Sequence, residues 1–152
     1  MTCDQDEHPR AVCILITRSV PGGIEVLGVS RRDDETAFGL PGGKVEPGED
    51  DVMAAKRELR KETGLDAMIF EPIMSRPSEG PQTFITTTFR VKHFYGVVGR
   101  RKGEGLVKWM TPDVLISGPF GRYNDTLFKK MGIPLTQSCA YDVTLPLDAQ
   151  KP

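Results

Sequence analysis

The chain is poor in most of the features that mark specialised protein classes. Its three cysteines, Cys3, Cys13 and Cys139, lie far apart with no C-x-x-C pair. That excludes a disulfide framework and the usual zinc spacings, and an odd count fits a reducing, cytoplasmic setting. Cys13 sits in an apolar run and reads as a small core residue. No hydrophobic run approaches the roughly 20 residues that a membrane helix needs. Residues 1–10 are polar and acidic, unlike a secretory signal, so no membrane partner is expected. Neither sign of charge dominates. With a formal net charge of -1, no global field draws the protein to nucleic acid, and no stable nucleic-acid partner is expected. Any affinity for phosphate has to come from a local arrangement or a bound metal. His8 and His93 carry no metal or catalytic pattern and read as surface or structural residues.

What is present is an ordinary globular composition. The 152 residues, 38% hydrophobic and 27% charged, suit one soluble domain with a single core. The pattern suggests a loose tail over 1–9, a domain over 10–132, and a C-terminal tail over 133–152 able to pack on the domain. Residues 11–16 are apolar and β-branched, which predicts a buried strand. Pro21-Gly22-Gly23 predicts a turn, and 24–30 a return strand, so that 11–16 and 24–30 form a hairpin. Residues 31–36 form a charged loop. A helix is predicted over 49–63, stopped by Gly64, with acidic residues in its first turn and an apolar stripe of Val52, Ala55 and Leu59. Strands are predicted over 67–74, 82–92, 94–98 and 106–110, a helical turn over 112–116 capped by Thr111, and a helix over 125–131. The sum is an α+β fold with a mixed sheet.

The informative stretch is 42–65. It reads Gly42-Gly43-Lys44-Val45-Glu46-Pro47-Gly48-Glu49, then seven residues, then Arg57-Glu58-Leu59-Arg60-Lys61-Glu62-Thr63-Gly64-Leu65. Glu58 and Glu62 are four apart on a helix, which puts their Cβ atoms about 6 Å apart on one face. Taken alone, two such glutamates are most often a solvated surface. Their mutual repulsion is relieved if a cation lies between them, and Mg²⁺ binds through one or two carboxylates plus substrate phosphates. A backbone carbonyl of the glycine-rich loop, that of Gly43, is a candidate further ligand, and Lys44 a candidate phosphate contact.

The stretch resembles the Nudix box of the MutT-like pyrophosphohydrolases, G-x₅-E-x₇-R-E-U-x-E-E-x-G-U, where U is a bulky aliphatic residue. Gly43, Glu49, Arg57, Glu58, Leu59, Glu62, Gly64 and Leu65 match in register. An apolar strand before the box and Trp109-Met110-Thr111-Pro112-Asp113 after it extend the resemblance over about 10–132. One position departs: Lys61 stands where the family has a glutamate that commonly helps hold metal. Lys has no acceptor and cannot replace that ligand. It is left to touch a phosphate oxygen or to pair with Glu58.

The resemblance implies the Nudix fold, an α/β/α sandwich with a mixed sheet, and a Mg²⁺-dependent attack of water on phosphorus, with Mn²⁺ as an alternative ion. By that resemblance Gly43, Glu58, Glu62 and Glu104 would be metal ligands. Arg57 would orient the carboxylates, Glu49 would support the loop or a second metal, and Glu104, five residues before Trp109, would be the base. An ordinary exposed loop glutamate is an equally good description of Glu104. The neighbouring Arg100, Arg101 and Lys102 either attract polyphosphate or form a solvated loop.

The substrate is read less directly. Asn124 is either the amide that reads a base edge or the cap of the helix predicted to start at Asp125. Phe38, Phe84 and Tyr123 are either base-stacking or core residues, and Arg31 is a further substrate-binding candidate. The expected substrate is a nucleoside triphosphate, ordinary or oxidised, cut to monophosphate and pyrophosphate. Pro81, past the box, keeps ADP-ribose or another nucleotide sugar as the alternative. Lys61 keeps a third, a catalytically weakened nucleotide-binding module. Monomer and homodimer are both compatible with the sequence.

Overall fold

The computed structural model describes residues 9–135. The readings made above for the N-terminal tail, His8, Cys3, Cys139 and most of the C-terminal tail lie outside them.

Two sheets share one layer of strands. In the first, β5 (Gly42–Lys44), β1 (Arg10–Leu15), β7 (Ile85–Arg90) and β6 (Glu71–Pro77) lie in that order, and β1 runs parallel to β7 while the other pairs are antiparallel. In the second, β3 (Gly23–Ser30) pairs antiparallel with β2 (Thr17–Val20), β4 (Phe38–Gly39) and β8 (Val107–Met110). Three helices complete the fold: α1 (Asp51–Thr63), α2 (Pro112–Ile116) and α3 (Gly121–Met131).

Strand alternation explains why the helices lie on opposite faces. Val12 and Ile14 of β1 and Leu27 of β3 point into a cluster with Ala54, Ala55 and Leu59 of α1. Leu15 and Val26 point into a second cluster with Leu115 of α2 and Leu127 and Phe128 of α3. The result is the α/β/α sandwich with a mixed sheet. No described helix is long and apolar enough to cross a membrane.

Several sequence expectations need correction. The hairpin partner of β3 is β2, not residues 11–16. After Ile16 the chain leaves the first sheet and enters the second, and the short Pro21-Gly22 connection pairs only the residues next to it. Thr17, Arg18 and Ser19 are exposed, so no apolar pattern announced them. Residues 94–98 form no strand; Tyr95 makes only an isolated bridge with Asp66. The strand expected over 67–74 begins at Glu71 and runs to Pro77. It is an edge strand, which tolerates Pro72.

Helix α1 starts two residues later than the pattern suggested. Asp50 is its N-cap, accepting from the Met53 N–H at 2.8 Å, and Gly64 ends it in the left-handed conformation at φ 83°. Val52 is 44% exposed and lies off the core, while Ala54 joins Ala55 and Leu59 inside. Ile133 and Leu135, at the start of the expected C-terminal tail, pack on the second cluster.

Candidate active site

The site is built where α1 lies across β5. Both glutamates of the box face that strand. The Gly42 N–H donates to Glu62 Oε1 at 2.9 Å. One residue on, a Cβ on Gly43 would lie 2.5 Å from Glu58 Oε2. Only glycine lets the Glu58 carboxylate come so close to the backbone. Consecutive strand residues thus meet carboxylates one helical turn apart.

Arg57 ties the loop to the helix. Its Nε and Nη2 hold the two oxygens of Glu49 at 2.6 and 2.9 Å, its Nη2 also donates to the Lys44 carbonyl at 3.0 Å, and its Nη1 donates to Glu58 Oε2 at 2.7 Å. The fork-to-fork contact with Arg57, followed by the Glu46 N–H, pulls the Glu49 carboxyl down to about 2. Both Glu49 oxygens accept from Arg57 of α1, and Oε1 also accepts from the Glu46 N–H of the loop. Glu58, nearly buried, has Lys61 Nζ at 4.0 Å as a further neighbour.

Glu62 behaves differently. Burial, reinforced by repulsion from Glu58 and Glu104, pushes its carboxyl up to about 8 despite the Gly42 hydrogen bond. It lines a cleft of about 580 Å³ together with Glu104, Arg31, Arg32 and Asp33. The 100–105 loop therefore does bring Glu104 to Glu62. Among the described residues, no group of three or more His, Cys, Asp or Glu side chains is placed to hold a metal ion. An open set of carboxylate oxygens beside a glycine backbone still fits Mg²⁺, which needs only one or two carboxylates and keeps waters and phosphate for the rest.

A second, largely apolar pocket of about 260 Å³ adjoins this cleft and shares Leu40 and Phe120 with it. Val12, Cys13, Gly43, Lys44, Phe84, Tyr123 and Asn124 are among its walls. Lys44 Nζ sits 5.5 Å over the Phe84 ring. The Tyr123 hydroxyl donates to the Thr86 carbonyl at 3.1 Å and bonds Thr88 Oγ1. Burial raises the Cys13 thiol to about 11, so it is an inert wall residue.

Two further site candidates can be placed. Phe38 is 7% exposed and packs in the second core cluster with Lys108 over its ring, which agrees with the core alternative given above. Asn124 is not a cap, because α3 begins at Gly121. Its backbone N–H bonds Phe120 O at 2.9 Å and its Nδ2 donates to Leu115 O at 3.2 Å. A Cβ on Gly121 would collide with the Ile116 carbonyl, and this close approach lets α3 start early. Arg31 lines the Glu62 cleft, exposed and paired with Asp33. Sequence reading missed Leu40, Thr86 and Phe120, because nothing local announces that they share a wall.

A loop and helix that offer clustered carboxylates to an anhydride, on this sandwich, define a Nudix domain. The family model described as the NUDIX domain matches residues 7–127, and the chain belongs to this family. The CTP pyrophosphohydrolase of Escherichia coli (strain K12) is 31% identical over 91 residues, covering 59% of this chain and 67% of that protein. Among solved structures, the E. coli ORF135 protein is similar in fold, with a TM-score of 0.64 and 23% identity over 92% of this chain and 94% of that one. The NUDIX domain of Shewanella oneidensis NrtR, solved with ADP ribose, has a TM-score of 0.66 and 16% identity over 83% and 87%.

Proposed function

We propose that the protein hydrolyses a nucleoside triphosphate, ordinary or oxidised, to the monophosphate and pyrophosphate, with Mg²⁺ or Mn²⁺ as cofactor. The observation that carries this reading is the junction of the two cavities. An apolar pocket walled by Phe84, Tyr123 and Asn124 opens at Leu40 and Phe120 into the polar cleft of Glu62 and Glu104. A base in the first places its phosphates in the second.

The residues then take separate tasks. Asn124 spends one N–H on Leu115 and keeps its oxygen and second N–H to read a base edge. Lys44 and Arg31, on the two cavity walls, contact phosphate oxygens. Glu58, Glu62, Glu104 and the Gly43 carbonyl are the residues that would hold the ion. When bound, such an ion polarises the phosphoryl oxygens and offsets the charge that develops on them. Glu104, at the solvent side of the cleft, accepts a proton from the attacking water. The P–O anhydride bond breaks and pyrophosphate leaves. Arg57 holds the Glu58 carboxylate and the loop in place without touching the reacting atoms.

The test is a panel of nucleotides with products identified. Monophosphate plus pyrophosphate from a nucleoside triphosphate is expected. AMP from ADP-ribose, with triphosphates inert, would favour the nucleotide-sugar reading, to which Pro81, past the box, lends support. Nucleotide binding without turnover of any substrate, unimproved by Lys61→Glu, would leave a binding module.

A further inference from the structure

A basic groove of about 540 Å³ lies on the other side of Glu104, lined by Arg57, Arg60, Lys61, Arg101, Lys102 and Glu104 itself. Residues 57, 60 and 61 share one face of α1 by their spacing. The 100–105 loop closes against the end of that face: a Cβ on Gly64 would meet Arg101 Nη1 at 3.2 Å. The loop has a definite shape there. The Glu104 N–H returns to the Arg101 carbonyl at 2.9 Å across Gly103 at φ 82°, a turn that requires the left-handed region.

The cations of the groove are not equally engaged. Arg57 is bound to Glu49 and Glu58, and Arg60 to Asp66. Lys61, 46% exposed at its side chain, has only the loose contact with Glu58. Arg101 and Lys102 have no ion-pair partner among the described residues. The C-terminal end of α1 offers about half a negative charge, too little to account for all of them. An excess of positive charge therefore faces solvent, one carboxylate away from the Glu62 cleft.

We propose that this groove is a second anion subsite, which holds the far end of a phosphate chain passing from the Glu62 cleft alongside Glu104. Lys61, Arg101 and Lys102 then favour substrates with a free terminal phosphate on a chain of three or more. A terminal phosphate carries up to two negative charges near neutral pH, whereas the diphosphate of a nucleotide sugar is capped at both ends. A guanidinium fork and two ammonium point charges suit such a terminus. The inference rests on the triphosphatase reading and names residues that set its specificity.

Calorimetric titration with inorganic tripolyphosphate, in metal-free low-salt buffer, tests it without relying on turnover. Wild-type protein should bind tripolyphosphate. The double variant Arg101→Ala/Lys102→Ala should bind at least about tenfold more weakly, Lys61→Ala several-fold more weakly, and the wild-type affinity should fall with added salt. In hydrolysis, the double variant should raise KM for a nucleoside triphosphate about tenfold while kcat changes little. These side chains are on the surface, and an unchanged circular dichroism spectrum verifies the fold; Arg101→Glu/Lys102→Glu supplies a second variant, expected to abolish tripolyphosphate binding. Wild-type tripolyphosphate affinity in both double variants overturns the subsite, even if triphosphates are hydrolysed. Residue-dependent tripolyphosphate binding in a protein that hydrolyses no nucleotide supports the subsite and overturns the triphosphatase reading instead.

Discussion

At the scale of single residues, the account turns on how close backbone and carboxylate come. Gly42 and Gly43 set that approach, the first by an N–H to Glu62 and the second by having no Cβ beside Glu58. Glu62→Gln keeps an acceptor for the Gly42 N–H while removing the charge. On the proposed role of Glu62 as an ion ligand, the variant should fold normally and lose about a hundredfold in kcat; steady-state kinetics beside a thermal melt would separate the two effects. Gly43→Ala is the complementary case. The added methyl must displace Glu58, which Arg57 holds in place, so it should cost about 1–3 kcal/mol and depress turnover together, read by urea denaturation and kinetics. An alanine variant with wild-type stability and rate would show that the contact is not tight.

At the scale of elements, helix α1 carries both the site and a staple for the chain that follows it. Asp66 bonds Lys56 and Arg60 of the helix and the Ala67 N–H. Burial raises its carboxyl, but these partners outweigh it and hold the group at about 2. The unfolded value near 3.9 is higher, so the stabilisation is present above that value and lost as pH falls through the folded one. Asp66→Asn should cost about 1–2 kcal/mol at pH 7, given two partly exposed partners. That difference should narrow between about pH 4 and 2 in urea titrations; a constant difference would sink the charge argument. This element was legible in the sequence because most of its signals are local: acidic residues near its start, a Gly stop, an apolar stripe with Ala55 and Leu59; the Asp50 cap was not read, and the start fell two residues early. Strand β2 was not, since its residues are polar and its partner is fixed by a sheet crossing. Residues 94–98 misled for the converse reason. They are apolar, yet Val97 is 85% exposed, and among the described residues they pair with no strand beyond the isolated Tyr95–Asp66 bridge.

At the scale of the whole molecule, two cavities lined by distant parts of the chain share Leu40 and Phe120 as walls. The box between residues 42 and 65 could be read directly, because its spacing is that of one loop and one helix. The apolar pocket could not, because Phe84, Phe120 and Asn124 come to line it together only through the tertiary fold. Nor could the sequence tell whether Glu104 was the base or an ordinary exposed loop residue; the fold brings it to line one cleft with Glu62. A ligand that binds only the folded state raises its stability by mass action. Mg²⁺ with a nonhydrolysable triphosphate should therefore raise Tm by several degrees, and Glu62→Gln should forfeit most of that gain in a thermal shift assay. An equal gain in the variant would place the ion elsewhere.

The most direct measurement follows a nucleoside triphosphate by phosphorus NMR in ¹⁸O-enriched water with Mg²⁺. The account predicts monophosphate and pyrophosphate in equal amounts, with one ¹⁸O incorporated per turnover, abolished by chelation and by Glu62→Gln. Release of inorganic phosphate in place of pyrophosphate, or undiminished turnover in Glu62→Gln, would contradict it.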